Sequence, residues 1–250
     1  MRRFIVVDKS SGPVEAGGAM SDLEICYLPV QWRNLDPERL NRSACAVIDV
    51  IRATSTIVTA LAHGAAGVEP VADVGDAFVR KAHDPQAVLA GERGGVPLPG
   101  FDIGNSPEEF TAERVGGNRV ILTTTNGTQA LAACREGRAV VTACLLNLDA
   151  VAAKLRELGS PWIILCAGHN GGFGVDDAIV AGALAEALDQ DHALVSLYRS
   201  VGKNVAETFH GCLAGLELEK VGMGKDLDYC AKRDVFSLVP TLGPDGVLTI

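Results

Sequence analysis

The chain has 250 residues, 48% of them hydrophobic, enough to bury a full core in one large domain or two small ones. Its 22 Lys and Arg stand against 31 Asp and Glu, a net charge of −9 with no basic run, which argues against a nucleic-acid partner. No apolar run approaches the roughly 20 residues of a membrane span, so no membrane partner is expected. The opening segment, MRRFIVVDKSSGPVEAGGAM, has an apolar patch of only four residues, Phe4–Val7, too short for a signal peptide. It then turns to Ser, Gly, Pro and Ala, and residues 1–20 are expected to form a weakly ordered extension.

From there apolar runs of strand type alternate with helical patterns. The strand candidates are Glu24–Val30, Cys45–Val50, Gly67–Val71, Ala87–Ala90, Arg119–Thr123, Ala139–Thr142 and Trp162–Cys166. Between them lie helical stretches at Ser55–His63, Val74–Ala82, Gly127–Arg135, Leu148–Leu158 and Asp176–Leu188. Continuous apolar strands such as AVID and WIILC imply burial on both faces, as in a parallel sheet covered by helices. The repeated β-α order predicts an α/β fold, layered, with a mainly parallel sheet flanked by helices and a site at the carboxyl ends of the strands. After about residue 190 the strand signal fades and helices dominate until VFSLVP near Val235. No repeat or long linker appears, so residues 21–250 are expected to form one domain, or two closely packed α/β subdomains.

The seven cysteines are scattered, with no C-x-x-C pair, so a zinc knuckle or thioredoxin-like motif is not expected. They read as small buried residues, and an odd count suits a reducing cytoplasm.

Polar residues gather at the carboxyl ends of the strands. CAVIDV ends in Asp49, followed by Arg52, Thr54 and Ser55; AVLAGER ends in Glu92 and Arg93. RVILTTT runs through Thr124 and Thr125 to Asn126, Gly127 and Thr128, while WIILCAG leads to His169, Asn170, Asp176 and Asp177. The loop GERGGVPLPGFDIGNSPEEF adds Asp102, Asn105 and Ser106. Singly, each has a structural reading: Asp49 and Arg52 as an exposed pair worth only about 0–1 kcal/mol, the threonines and Asn126 as helix caps, the paired aspartates as first-turn acids. Their joint occurrence at strand ends favours a site. Helix starts rich in Thr, Asn and Gly offer N–H groups to a phosphate or sulfonate, and Arg52 and Arg93 can each fork onto two anion oxygens. Asp49, Glu92 and Asp177 could hold Mg²⁺, which takes one or two carboxylates with waters and substrate phosphate. A cation and two arginines would neutralise charge on a transferring phosphoryl group.

Other signatures are missing. There is no G-x-x-x-x-G-K-[ST], and GHNGGFG from Gly168 lacks the G-x-G-x-x-G order. No G-x-S-x-G elbow occurs. Of the five histidines, His169 is the one expected to touch a ligand, with help from His210; His63, His83 and His192 read as surface or helix-end residues.

Taken together, VIDVIRATSTIVTAL from Val47, GERGGVPLPGFDIGNSPEEF, TTTNGTQAL and CAGHNGGFGVDDAIVAGAL from Cys166 resemble the 2-phosphosulfolactate phosphatases, and HGCLAGL from His210 is similar to their carboxyl-terminal motif. The resemblance runs in order from about Leu23 to Pro240. It implies Mg²⁺-dependent hydrolysis of (R)-2-phospho-3-sulfolactate to sulfolactate and phosphate, on an α/β fold of the family's own. Asp49, Arg52, Arg93 and Asp177 are then the expected catalytic residues, with Asp49, Glu92 and Asp177 as metal ligands. Thr54, Asn105, Ser106, Thr124, Thr125, Asn126, Gly127 and His169 are expected to bind the small anionic substrate. Gly174–Val175–Asp176 departs from the family pattern before the shared Asp177, which makes Asp176 the weaker ligand candidate. The alternatives are a Mg²⁺-dependent phosphatase or lyase for another small phosphorylated acid, or a non-catalytic anion-binding protein. Assembly into a homo-oligomer is left open.

Overall fold

In the computed structural model, residues 23–250 are described; the extension expected over 1–20 lies outside them. All seven strand candidates form strands. In chain order the first half reads β1 (Leu23–Cys26), α1 (Pro29–Trp32), α2 (Pro37–Arg42), β2 (Ala44–Ile48), α3 (Ala53–Ala62), β3 (Gly67–Pro70), α4 (Val74–His83), β4 (Val88–Arg93), β5 (Val96–Pro97), α5 (Ala112–Val115) and β6 (Arg119–Thr123). The second half reads α6 (Gly127–Ala133), β7 (Ala139–Ala143), α7 (Leu148–Leu158), β8 (Trp162–Cys166), α8 (Val175–Ala187), α9 (Ala193–Val201), α10 (Val205–Gly211), α11 (Leu213–Lys220), α12 (Lys225–Cys230), β9 (Thr241–Leu242) and β10 (Leu248–Thr249). The first strand stops at Cys26, short of the expected Val30, because Pro29 opens a helical turn.

The strand order is β1-β8-β2-β7-β9-β10-β3-β6-β4-β5. Two parallel blocks make it up. In one, β2 lies between β8 and β7, with Ile48 opposite Cys166 and Ala143, and β1 is added outside β8. In the other, β6 lies between β3 and β4, with Leu122 opposite Pro70 and Ala90. The short hairpin β9–β10 joins them, antiparallel to β7 on one side and to β3 on the other. Read through that link, the two blocks run in opposite senses. A flat sheet would therefore place their carboxyl ends on opposite edges. They meet instead: a Cβ built on Gly127, just past β6, would lie 2.7 Å from Asp49 Oδ2, just past β2. A single parallel sheet, as the mainly parallel fold expected from sequence would suggest, would carry all these strand ends on one edge, and the structure departs from it in this respect. The rim is made by two opposed blocks folded together.

Burial follows the pleat. In β2 the alternate residues Ala44, Ala46 and Ile48 pack with Val151, Leu155, Ile179 and Leu184 of α7 and α8. Cys45 and Val47 face the other way, onto Trp32 and Leu40 of the first two helices and Leu131 of α6. Both faces are covered, as the unbroken apolar runs required. Since α6 follows β6 of one block but packs on β2 of the other, it ties the blocks where the polar ends converge. α8 is apolar nearly all round and is buried from Asp176 to Ala185. Its Gly182 permits close approach of the next helix, because a Cβ there would stand 2.1 Å from Leu194 O. All seven cysteines are free and buried. Among the described residues no helix is long and apolar enough to cross a membrane.

Candidate active site

A cavity of about 80 Å³ opens where the blocks meet. Its walls hold eight of the residues expected from sequence: Asp49, Arg52, Glu92, Asn105, Thr124, Thr125, Asn126 and His169. Gly94, Gly95, Ile51, Asn170, Ala214, Glu217 and Leu218 complete the lining. Arg93, Asp177, Thr54, Ser106 and Gly127 do not line it.

The loop after β2 supplies two of the central groups. Asp49 is held by its own backbone, since its N–H donates to Thr54 Oγ1 at 3.2 Å while that hydroxyl donates to Asp49 O at 2.9 Å. Its carboxylate accepts from the Ala53 N–H at 3.3 Å. Burial, with the nearby Glu92 and Asp176 carboxylates, pushes the Asp49 carboxyl up to about 7. Arg52, only 3% exposed, is aimed by a second carboxylate that sequence reasoning missed. Its Nη1 donates to Asp226 Oδ2 at 2.5 Å and its Nη2 to Gly95 O at 2.8 Å. Asp226, on α12, accepts at its other oxygen from Ser106 Oγ at 2.6 Å. Ser106 thus serves the site through Asp226.

Glu92 accepts hydrogen bonds at both oxygens, with acceptor capacity left over. Its Oε2 accepts from the Gly95 N–H at 2.8 Å, and its Oε1 accepts from the N–H and hydroxyl of Thr125 at 2.9 and 3.0 Å. It fastens the glycine turn after β4 to the loop after β6. The neighbouring Arg93 turns away from the cavity: Nη1 bonds Glu92 O at 2.7 Å, and Nη2 bonds Ala72 O at 3.2 Å and Thr123 Oγ1 at 3.0 Å. Its guanidinium brackets strand ends instead of facing an anion. Asp177 also acts as a brace. One oxygen accepts from the Val50 N–H and the other from the Gly168 N–H, both at 2.9 Å, joining the exits of β2 and β8. Asp176 is buried next to it, and burial raises both carboxyls above their ordinary range.

The expected metal trio of Asp49, Glu92 and Asp177 does not converge. Among the described residues no three His, Cys, Asp or Glu side chains are arranged to hold one ion. A smaller set does fit a hard cation. Asp49 and Glu92 share the cavity with Asn105, whose Oδ1 is buried with no hydrogen-bond partner among the described residues. A Mg²⁺ needs only one or two carboxylates when waters and phosphate oxygens fill the rest. An orphaned buried carbonyl oxygen is the kind of group that such a guest would satisfy. Asn105 is itself fixed, because its backbone carbonyl accepts from Thr56 Oγ1 at 3.0 Å.

On the β8 side, His169 Nε2 lies 3.3 Å from Glu217 Oε2 and 3.0 Å from Asn170 Nδ2. His210 is elsewhere, with Nδ1 2.7 Å from Glu219 Oε1 and Nε2 3.2 Å from Asp228 Oδ1, and those partners raise its pKa. The other three histidines sit at helix ends, as expected: His63 after α3, His83 closing α4 and His192 capping α9. Asp226, Glu217 and Leu218 were missed because helices α11 and α12 follow the last long strand, and nothing in their local pattern marks them as facing a strand end. The HGCLAGL run, which contains Ala214, was the one signal there.

Comparison with known proteins places the chain in a family. A family model described as 2-phosphosulpholactate phosphatase matches residues 32–244. A protein of Deinococcus radiodurans named probable 2-phosphosulfolactate phosphatase is 39% identical over 221 residues, covering 84% of this chain and 92% of the relative. Proteins of the same name from Caldanaerobacter subterraneus subsp. tengcongensis and Gloeobacter violaceus are 36% and 39% identical, over 84% and 82% of this chain and 92% and 90% of theirs. The chain belongs to the 2-phosphosulfolactate phosphatase family.

Proposed function

We propose that this chain is a Mg²⁺-dependent phosphatase that hydrolyses (R)-2-phospho-3-sulfolactate to 3-sulfolactate and phosphate, in the cytoplasm. The observation that carries the reading is the cavity itself: one buried guanidinium, one carboxylate with a raised pKa and one orphaned amide oxygen, all inside the segment matched to the family. Arg52 binds phosphoryl oxygens with its charge and its planar donor fork. Asp226 and Gly95 O fix that fork from behind, so little rotamer freedom is lost when substrate arrives. The Thr124 hydroxyl and the Asn126 amide supply further donors in the same lining. Ile51, Ala214 and Leu218 provide apolar wall that limits water around the reacting phosphorus.

Asp49, with Glu92 and Asn105 Oδ1, would hold the Mg²⁺, which when bound supplies Lewis-acid stabilisation of charge on the transferring phosphoryl group. In hydrolysis the oxygen–phosphorus ester bond breaks, water oxygen bonds phosphorus, and the ester oxygen leaves as the 2-hydroxyl of sulfolactate. The test is phosphate release from phosphosulfolactate and from a panel of other phosphorylated acids, with Mg²⁺ and with a chelator. Preference for phosphosulfolactate that disappears on chelation is the expected result. Equal rates on every acid would move the assignment to a broader phosphatase, and no release from any of them would favour an anion-binding protein.

A further inference from the structure

A second cleft, of about 320 Å³, adjoins the cavity and shares Thr125, Asn126 and Asn170 with it. Its own wall carries Arg33, which follows α1. The guanidinium is built into place. Its carbon lies 5.1 Å from the ring centroid of Trp32, and Nη2 donates to Gln129 Oε1 at 3.0 Å. Each support is itself anchored. Trp32 is buried and donates its indole N–H to Cys166 O at 3.0 Å, while Gln129 Nε2 donates to Thr125 O at 2.9 Å. A chain of contacts therefore runs from Arg33 through Gln129 to Thr125, whose hydroxyl and N–H are held by Glu92 in the main cavity. Among the described residues Arg33 has no carboxylate partner.

Charge balance favours a further cation beyond Arg52 and the proposed Mg²⁺. A phosphorylated sulfonic acid carries phosphate, sulfonate and carboxylate on adjacent carbons. Within the main cavity Arg52 is the one arginine or lysine among the described lining residues, and Arg93, which sequence reasoning assigned to a second anion, is spent on carbonyl oxygens and Thr123. The next cation along the cleft is Arg33, beyond a rim of Thr125, Asn126 and Asn170.

We propose that this side cleft is the sulfonate subsite and that Arg33 is its specificity-determining residue. The proposal rests on the reading that the substrate is a phosphorylated sulfonic acid. With phosphate at Arg52 and sulfonate at Arg33, the guanidinium forks onto two sulfonate oxygens in the way it would onto a carboxylate or phosphate. Its contribution is to binding, so it moves KM and leaves kcat in place.

The test compares wild type with Arg33→Gln and Arg33→Lys in the Mg²⁺-loaded protein, on phosphosulfolactate and on 2-phospholactate, which lacks the sulfonate. Arg33 is exposed, so both variants should fold with unchanged melting temperature. Arg33→Gln should raise KM for phosphosulfolactate about tenfold or more, as the loss of one charge-assisted pair implies, with kcat within about twofold. KM for 2-phospholactate should not change, and Arg33→Lys should restore part of the loss. Equal shifts with both substrates, or with neither, would overturn the subsite. Calorimetric binding of 3-sulfolactate gives a readout that needs no turnover. If wild type hydrolyses neither ester, the phosphatase reading fails while the subsite still stands or falls on this measurement. Weaker binding by Arg33→Gln supports it; equal binding, or none by either protein, overturns it.

Discussion

Replacing Asp226 with Ala would strip Arg52 of its carboxylate while leaving the guanidinium buried. The side chains of the pair are 2% and 4% exposed, so water cannot take over the role of the lost oxygen. Removing one member of a buried pair costs about 3–5 kcal/mol, mostly because the remaining charge is uncompensated. Ser106 also loses the acceptor for its hydroxyl, which adds to the same side. A loss of that order is a large share of the roughly 5–15 kcal/mol that a domain usually has. Urea unfolding of wild type, Asp226→Ala, Arg52→Met and the double variant measures it as a cycle. The double variant should be more stable than the sum of the single losses implies, with a coupling of about 2 kcal/mol or more. Asp226→Ala should also lower turnover, since Arg52 then lacks its aim. Additive losses, with coupling under about 0.5 kcal/mol, would refute the reasoning.

Three further outcomes are expected. In chelator-treated protein, Asp49, with its carboxyl near 7, holds a proton that the unfolded chain has already released. That contribution is fully present below the unfolded carboxylate pKa of about 4 and is lost as pH rises through 7, so the protein should melt higher at pH 5 than at pH 8. Asp49→Asn should flatten the slope, and an unchanged slope in that variant would contradict the assignment. Asp49→Asn should remove most activity with little loss of stability, whereas Asp177→Asn sets an amide N–H against a backbone donor and should cost about 1–3 kcal/mol; denaturant midpoints that rank the two the other way would count against the brace. Arg52→Lys keeps the charge but loses the fork, and should lower kcat/KM by about tenfold or more; a rate near wild type would show that the fork is not used.

Much of the fold was legible because its signal is local. Unbroken apolar runs such as ACAVI and WIILC admit few environments other than a sheet covered on both faces, and both proved to be central. What escaped was β5, β9 and β10, each two residues long. A two-residue strand has no period to read. Yet β9 and β10 set the direction of one parallel block against the other, so the least visible elements decide the topology. The opposed blocks had to be found in space.

The site divides in the same way. A sequence shows which residue follows a strand, but not the side to which its side chain turns. Asp49, Arg52, Glu92, Asn105 and the Thr124–Asn126 run follow strands or sit in the glycine loop, and they line the cavity. Arg93 and Asp177 occupy equally suggestive positions, yet both are used up on hydrogen bonds that hold strand ends together. The distinction is one of supply. A strand exit leaves N–H and C=O groups without ladder partners, and a charged side chain nearby satisfies them before it can serve a ligand. Backbone demand therefore selects which polar residues remain free. Arg52 faces the cavity because Asp226, from 174 residues away, takes up its outer donor, and Arg33 faces the side cleft because Gln129 and Trp32 hold it there. Those supports come from distant segments or from a helix with no motif of its own. Only the folded chain shows them.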